Sequence, residues 1–151
     1  MQHFSKTAGY AIHALSFIGA TAPEPCLVRD IAECLGLPKP YLARILNRLV
    51  HGGLVTAKRG YRGGLTLAKP PEQITLLEIV EAVEDSPPVS PCIFGLDKCC
   101  LHGKCPAHAP WQAMARQIRA LLDQTPLSAV MQVTPPRSLS PPIRQLAMEC
   151  C

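Results

Sequence analysis

The densest chemistry in this chain lies in residues 91–111, PCIFGLDKCCLHGKCPAHAPW. Cys92, Cys99, Cys100 and Cys105 fall within fourteen positions, and His108 stands three residues beyond the last of them. Thiolates bind soft metal ions and iron–sulphur clusters, and an imidazole can replace one thiolate. Gly95 and Gly103 give the backbone freedom to gather those donors around one compact site. The paired C-x2-C spacing usual for zinc is absent, and gaps of six and five residues are wider than most zinc sites use. The spacing therefore favours an Fe–S cluster. Zinc and a metal-free thiol switch stay open as alternatives.

The compartment bears on that reading. Eight cysteines in 151 residues would suit a disulfide framework if the chain were secreted. The N-terminal stretch MQHFSKTAGYAIHALSFIGA carries no clean signal-peptide pattern, and no run is long enough to span a bilayer. A cytoplasmic protein with reduced thiols is the expectation, with no membrane partner. Cys26 and Cys34 read as packing residues and His102 as exposed, while Cys150 and Cys151 close a Pro-rich tail.

The elements that must position these donors follow from periodicity. Residues 5–20 form a helix capped by Ser5, with Ala11, Ala14, Leu15 and Ile18 at helical spacing. Residues 28–35 form a second, and Gly36-Leu37-Pro38 a tight turn. A third helix covers about 39–51 and ends at Gly52-Gly53, its apolar face made by Leu42, Ile45, Leu46 and Leu49. Two strand-like runs, 54–58 and 65–68, flank the cationic, glycine-rich segment 59–64 and predict a β-hairpin. A fourth helix, 75–84, opens with Thr75 and Glu78 at capping-box spacing. Residues 85–106 lose all periodicity, and a longer helix follows over about 107–124, with Trp111 as an anchor near its start.

Charge is unevenly placed. Residues 1–70 hold nine Lys/Arg against three Asp/Glu, whereas residues 71–151 hold six against eight. Two helices joined by a short turn, the second with cations opposite its apolar face, describe a helix-turn-helix, although plain helical packing produces the same pattern. The basic hairpin directly after it supplies a wing, and favours DNA. Arginine matches guanine and asparagine matches adenine in the major groove, so Arg44, Asn47 and Arg48 are candidate readers. Lys58, Arg59 and Arg62, with Gly63, suit phosphate or minor-groove contact. Lys39 and Tyr41 at the start of the third helix complete the candidate DNA-binding set.

At this point the chain resembles the winged-helix iron–sulphur and redox transcription regulators of the IscR, NsrR and RirA type. The resemblance covers about residues 1–125. It is carried by SKTAGYAIHAL, by VRDIAECLGLPKPYLARILNRLVHGGLV, by the wing RGYRGGLTLAKP, by ITLLEIVEAVE, and by the cysteine loop ending CPAHAPW. It implies a homodimer joined through the long C-terminal helix, two-fold related half-sites on double-stranded DNA, and no small-molecule substrate. It also implies Cys92, Cys99 and Cys105 as cluster ligands, with Cys100 able to substitute for Cys99. His108 occupies the place of the histidine ligand in IscR-like members, which favours a 2Fe–2S over a 4Fe–4S cluster.

The expected fold is mainly α with a small β-hairpin: a winged helix-turn-helix domain (1–84), a cysteine-rich loop (85–106), a dimerisation helix region (107–133) and a Pro-rich, loosely ordered tail (134–151). The expected function is a DNA-binding regulator, repressor or activator, whose operator affinity follows a cluster sensing redox state, iron or nitric oxide. A cluster-free thiol-switch regulator and a small electron-transfer protein are the alternatives. No phosphate loop, nucleophile motif or paired carboxylate points to an enzyme.

Overall fold

The computed structural model describes residues 5–96 and 105–133. The expectations for Cys99, Cys100, His102, Gly103, Cys150 and Cys151, and for the 134–151 tail, lie outside the described residues. Among the described residues, six helices and one hairpin follow in the order α1 (Lys6–Thr21), α2 (Val28–Leu35), α3 (Lys39–His51), β1 (Val55–Lys58), β2 (Gly64–Leu67), α4 (Leu76–Val83), α5 (His108–Gln124) and α6 (Leu127–Val133), with a short 3-10 turn at Pro71–Gln73. The mainly helical fold with a two-stranded hairpin is the one the periodicities predict.

Helix α1 is the spine of the core. Ser5 Oγ accepts a hydrogen bond from Ala8 N at 3.2 Å and so caps the first turn. Ala8, Ala11, Ala14 and Leu15 are wholly buried, and the three small alanine side chains let α2, α3, α4, α6 and β2 all pack on one helix. Leu42, Ile45, Leu46 and Leu49 bury one face of α3. Burying a side chain of this size is worth about 1.5–3 kcal/mol, so four of them fix the helix and leave its opposite face free. Gly36, at φ +62°, closes α2 in the left-handed conformation that glycine adopts without strain, and Leu37 N then donates to Ala32 O at 2.9 Å.

The hairpin pairs antiparallel from Val55↔Leu67 to Lys58↔Gly64. It carries an extension that the sequence reading lacks. Cys26 N donates to Leu65 O at 2.9 Å and Leu65 N to Cys26 O at 2.8 Å, so residue 26 adds a short third rung beside β2. Cys26 itself is buried, as expected of a packing residue, and its thiol shares a hydrogen bond with Thr21. Burial pushes the Cys26 thiol up, outweighing that hydrogen bond.

Helix α4 opens on a complete capping box: Glu78 N donates to Thr75 Oγ1 at 3.2 Å and Thr75 N to Glu78 Oε2 at 3.0 Å. The other Glu78 oxygen accepts from Lys69 Nζ at 2.6 Å. Burial works to raise the Glu78 pKa, but these bonds outweigh it and hold the carboxyl below its ordinary range. The unfolded glutamate therefore takes up its proton first as pH falls. The stabilisation is whole above about pH 4.5 and fades as pH drops below that value. Thermal unfolding should show Glu78→Gln losing melting temperature at pH 7, with the gap to the parent narrowing toward pH 3. A gap independent of pH would contradict the assignment.

Region 107–133 is two helices. Thr125 leaves helical geometry (φ −98°, ψ 106°) ahead of Pro126, which disfavours the α conformation in the preceding residue. Leu76 N donates to Thr125 O at 3.0 Å and Leu127 N to Ile74 O at 2.7 Å, returning the chain to the core, where Leu127 is wholly buried. Helix α5 is different: of its seventeen residues only Leu122 is buried, and Met114 and Leu121 are exposed. Among the described residues, no helix is long and apolar enough to cross a membrane.

Candidate nucleic-acid interface and cysteine loop

The outward face of α3 presents Lys39, Arg44 and Asn47 to solvent. This is the geometry of a groove-reading helix, since the buried Leu/Ile stripe prevents the helix from rolling. Tyr41 is exposed too, but it also has partners on α1. Its hydroxyl lies 3.1 Å from Thr7 Oγ1, and its ring meets Tyr10 edge-on with centroids 6.0 Å apart. Part of that side chain thus braces α3 against α1.

Arg48 stands apart from the expectation placed on it. Its Nη1 donates to Val83 O at 2.5 Å and its Nη2 pairs with Asp85 at 3.0 Å. The guanidinium is engaged within the molecule, while its side chain stays 43% exposed. The sequence pattern missed this because the partners lie thirty-five and thirty-seven residues away.

At the hairpin tip, Lys58, Arg59 and Arg62 are all exposed. Gly63 is required there: a Cβ at that position would stand 2.4 Å from Lys58 O and 2.8 Å from Gly60 O. Arg62 adopts φ +57°, a conformation costing a non-glycine residue of order 1–3 kcal/mol. Its guanidinium lies 5.7 Å from the centre of the Tyr61 ring. Tyr61, 92% exposed, is a tip residue that the reading of cations alone overlooked; a lone aromatic among glycines was its available signal.

The cysteine loop is stitched to the start of α5. Trp111 Nε1 donates to Ser90 O at 2.8 Å, and Gln112 Nε2 to Pro91 O at 2.7 Å. Ser90 Oγ donates to Cys92 O and accepts from Cys92 N, while Gly95 N closes a turn onto Cys92 O at 2.9 Å. The anchoring role read for Trp111 is thus visible in its indole bond. The stitch ties residues 90–91 to the first turns of α5, which begins at His108, and His108 N donates to Cys105 O at 3.0 Å. Cys92, Cys105 and His108 are half-buried. Among the described residues, no three His, Cys, Asp or Glu side chains are close enough to hold a metal ion.

A buried-stripe reading helix followed by a cationic wing defines a winged helix-turn-helix regulator. Residues 4–133 match the model of the Rrf2 family, described as iron-dependent transcriptional regulators, and the chain belongs to that family. It is a transcriptional regulator and not an enzyme. A putative HTH-type transcriptional regulator of Aquifex aeolicus is 30% identical over 132 residues, 86% of this chain and 92% of that protein. The HTH-type transcriptional regulator IscR of Aliivibrio salmonicida is 30% identical over 123 residues, 81% of this chain and 73% of its own length. Among solved structures, the chain is similar to CymR, the global cysteine regulator of B. subtilis. That match has a TM-score of 0.75 and 25% identity, and covers 89% of this chain and 99% of that one. Family membership removes the electron-transfer alternative.

Proposed function

We propose that this regulator binds double-stranded DNA as a homodimer and that an Fe–S cluster in its cysteine loop sets the affinity. DNA contact falls to Lys39, Tyr41, Arg44 and Asn47 on α3 and to Lys58, Arg59, Arg62 and Gly63 at the wing. Arg48 acts from behind the reading face. The dimer forms through α5: a helix that buries one residue in its own chain while exposing Met114 and Leu121 is suited to a second copy. The proposed division is a DNA-binding unit (1–84), a cysteine loop (85–106) and a dimerisation region (107–133).

The cluster reading rests on membership of the iron-dependent family together with the Ser90–Trp111 stitch, which ties the segment before Cys92 to the first turn of α5, the helix that His108 opens. Cys92, Cys105 and His108 supply two thiols and an imidazole, soft donors that a cluster would draw together from the loop. The third thiolate would be Cys99, or Cys100 in its place. With His108 as fourth ligand the donor set fits a 2Fe–2S cluster better than a 4Fe–4S one. When bound, the cluster supplies a redox- and nitric-oxide-reactive centre. The chain's own residues do the rest: Ser90 and Gly95 shape the turn around Cys92, and Trp111 and Gln112 clamp it to α5. A thiol switch without a cluster is the second reading, which the clustered cysteines of the loop would supply.

Anaerobic expression with visible spectroscopy and iron and sulphide counting tests this. The parent protein should be coloured and hold iron and sulphide in equal amounts, and His108→Ala should shift the spectrum. A colourless parent with titratable thiols would establish the second reading. An unshifted spectrum in His108→Ala would remove His108 from the ligand set.

A further inference from the structure

The entrance to the cysteine loop is fastened to the recognition helix at one point. Arg48 sits in the last turn of α3. One arm of its guanidinium donates to the carbonyl of Val83, the last residue of α4, and the other pairs with Asp85 just beyond that helix. Carbonyls at a helix C-terminus lack intrahelical partners and favour a cation, so the fork satisfies an orphan acceptor and a carboxylate together. The same junction is held from another side by Ser5 Oγ, which donates to the Glu84 carboxylate.

As a source of stability this contact is weak. The Asp85 side chain is 87% exposed and the Arg48 side chain 43%, and ion pairs that open to solvent contribute little. Its geometry matters more. From Asp85 the chain runs to Cys92 through Pro87, Pro88 and Pro91, whose fixed φ angles make a stiff spacer. The far end of that spacer is the Ser90–Pro91 segment clamped to α5. A shift of Cys92 relative to α4 therefore reaches Asp85 with little slack, and Asp85 holds Arg48.

We propose that Arg48 is a positioning residue that ties the last turn of the recognition helix to the start of the cysteine loop, so that the state of the loop sets where the helix sits. This rests on the cluster-sensing reading above. The tie itself does not need the cluster, which allows the two to fail separately.

Arg48→Lys keeps the charge but cannot span both acceptors, and Asp85→Asn keeps the shape and removes the charge. In cluster-free full-length protein, hydrogen exchange followed by mass spectrometry should show residues 48–52 and 84–86 exchanging several-fold faster in both variants, with α1 and the hairpin unaltered. Unchanged exchange in the last turn of α3 would overturn the tie. In a second arm, operator affinity is compared between anaerobically loaded and cluster-free protein. The loaded-to-free ratio should move several-fold toward one in both variants, with iron and sulphide contents as in the parent. Parental ratios in both variants would overturn the transmitting role. A ratio of one in the parent would overturn that role together with the sensing reading, and the exchange arm would then tell an intact tie in a non-sensing protein from an absent one.

Discussion

Raising monovalent salt from 50 to 200 mM should weaken binding to a specific duplex by about 10³–10⁵-fold, the loss associated with 6–10 neutralised phosphates. Each protomer offers five exposed cations on the proposed interface: Lys39 and Arg44 on α3, and Lys58, Arg59 and Arg62 on the wing. A dimer doubles them, which places the complex at the top of that range if all engage. Arg48 is left out because Val83 and Asp85 already hold it. The physical cause is release of counterions condensed on DNA, a term independent of base sequence and set by the number of phosphates covered. Fluorescence anisotropy with a labelled operator duplex across a salt series measures the slope of log K against log salt. A slope near zero would sink the DNA interface, and a slope reduced by about two-fifths in a wing double variant, Arg59→Ala with Arg62→Ala, would apportion the contacts.

The second large effect is on stability. Leu49→Ala should cost about 2–5 kcal/mol, the range for removing a buried Leu side chain and leaving a cavity. At about 2–4 °C per kcal/mol for a chain of this size, the melting temperature should fall by roughly 5–20 °C. Leu49 is wholly buried on the inner face of α3. The neighbouring turn offers little room for collapse, since a Cβ on Gly52 would stand 2.8 Å from the Ala82 side chain. Asn47→Ala, two residues away on the exposed face, should change stability by no more than about 0.5 kcal/mol while weakening operator binding. Urea denaturation of the two variants beside the parent separates the effects. A Leu49→Ala loss below about 1 kcal/mol would mean that the face of α3 has been misassigned.

Local rules settled most of the elements. The i, i+3, i+4, i+7 spacing of Leu42, Ile45, Leu46 and Leu49 set both the extent of α3 and its buried face. Ser5 and Thr75 marked helix starts that the structure has at the same places, because a cap needs only residues within one turn. The hairpin strands fall within a residue or so of their predicted ends for the same reason. Cys92, Cys105 and His108 stand out by type, as soft donors in a short span, and on that ground are the proposed ligands.

Tertiary structure decided what those rules cannot reach. The pairing of Cys26 with Leu65 and the return of α6 into the core join segments far apart in sequence, and only chain closure brings them together. Tyr41 and Arg48 looked alike from the sequence, as polar residues on the outer side of one helix. The packed molecule turned the first partly toward Tyr10 and Thr7, and the second onto Val83 and Asp85. Residue type and spacing determined which groups this protein has to offer for the proposed DNA and soft-metal contacts. Long-range packing determined which of them remain free to act, because a side chain's partner depends on the three-dimensional neighbours that its own helix cannot specify.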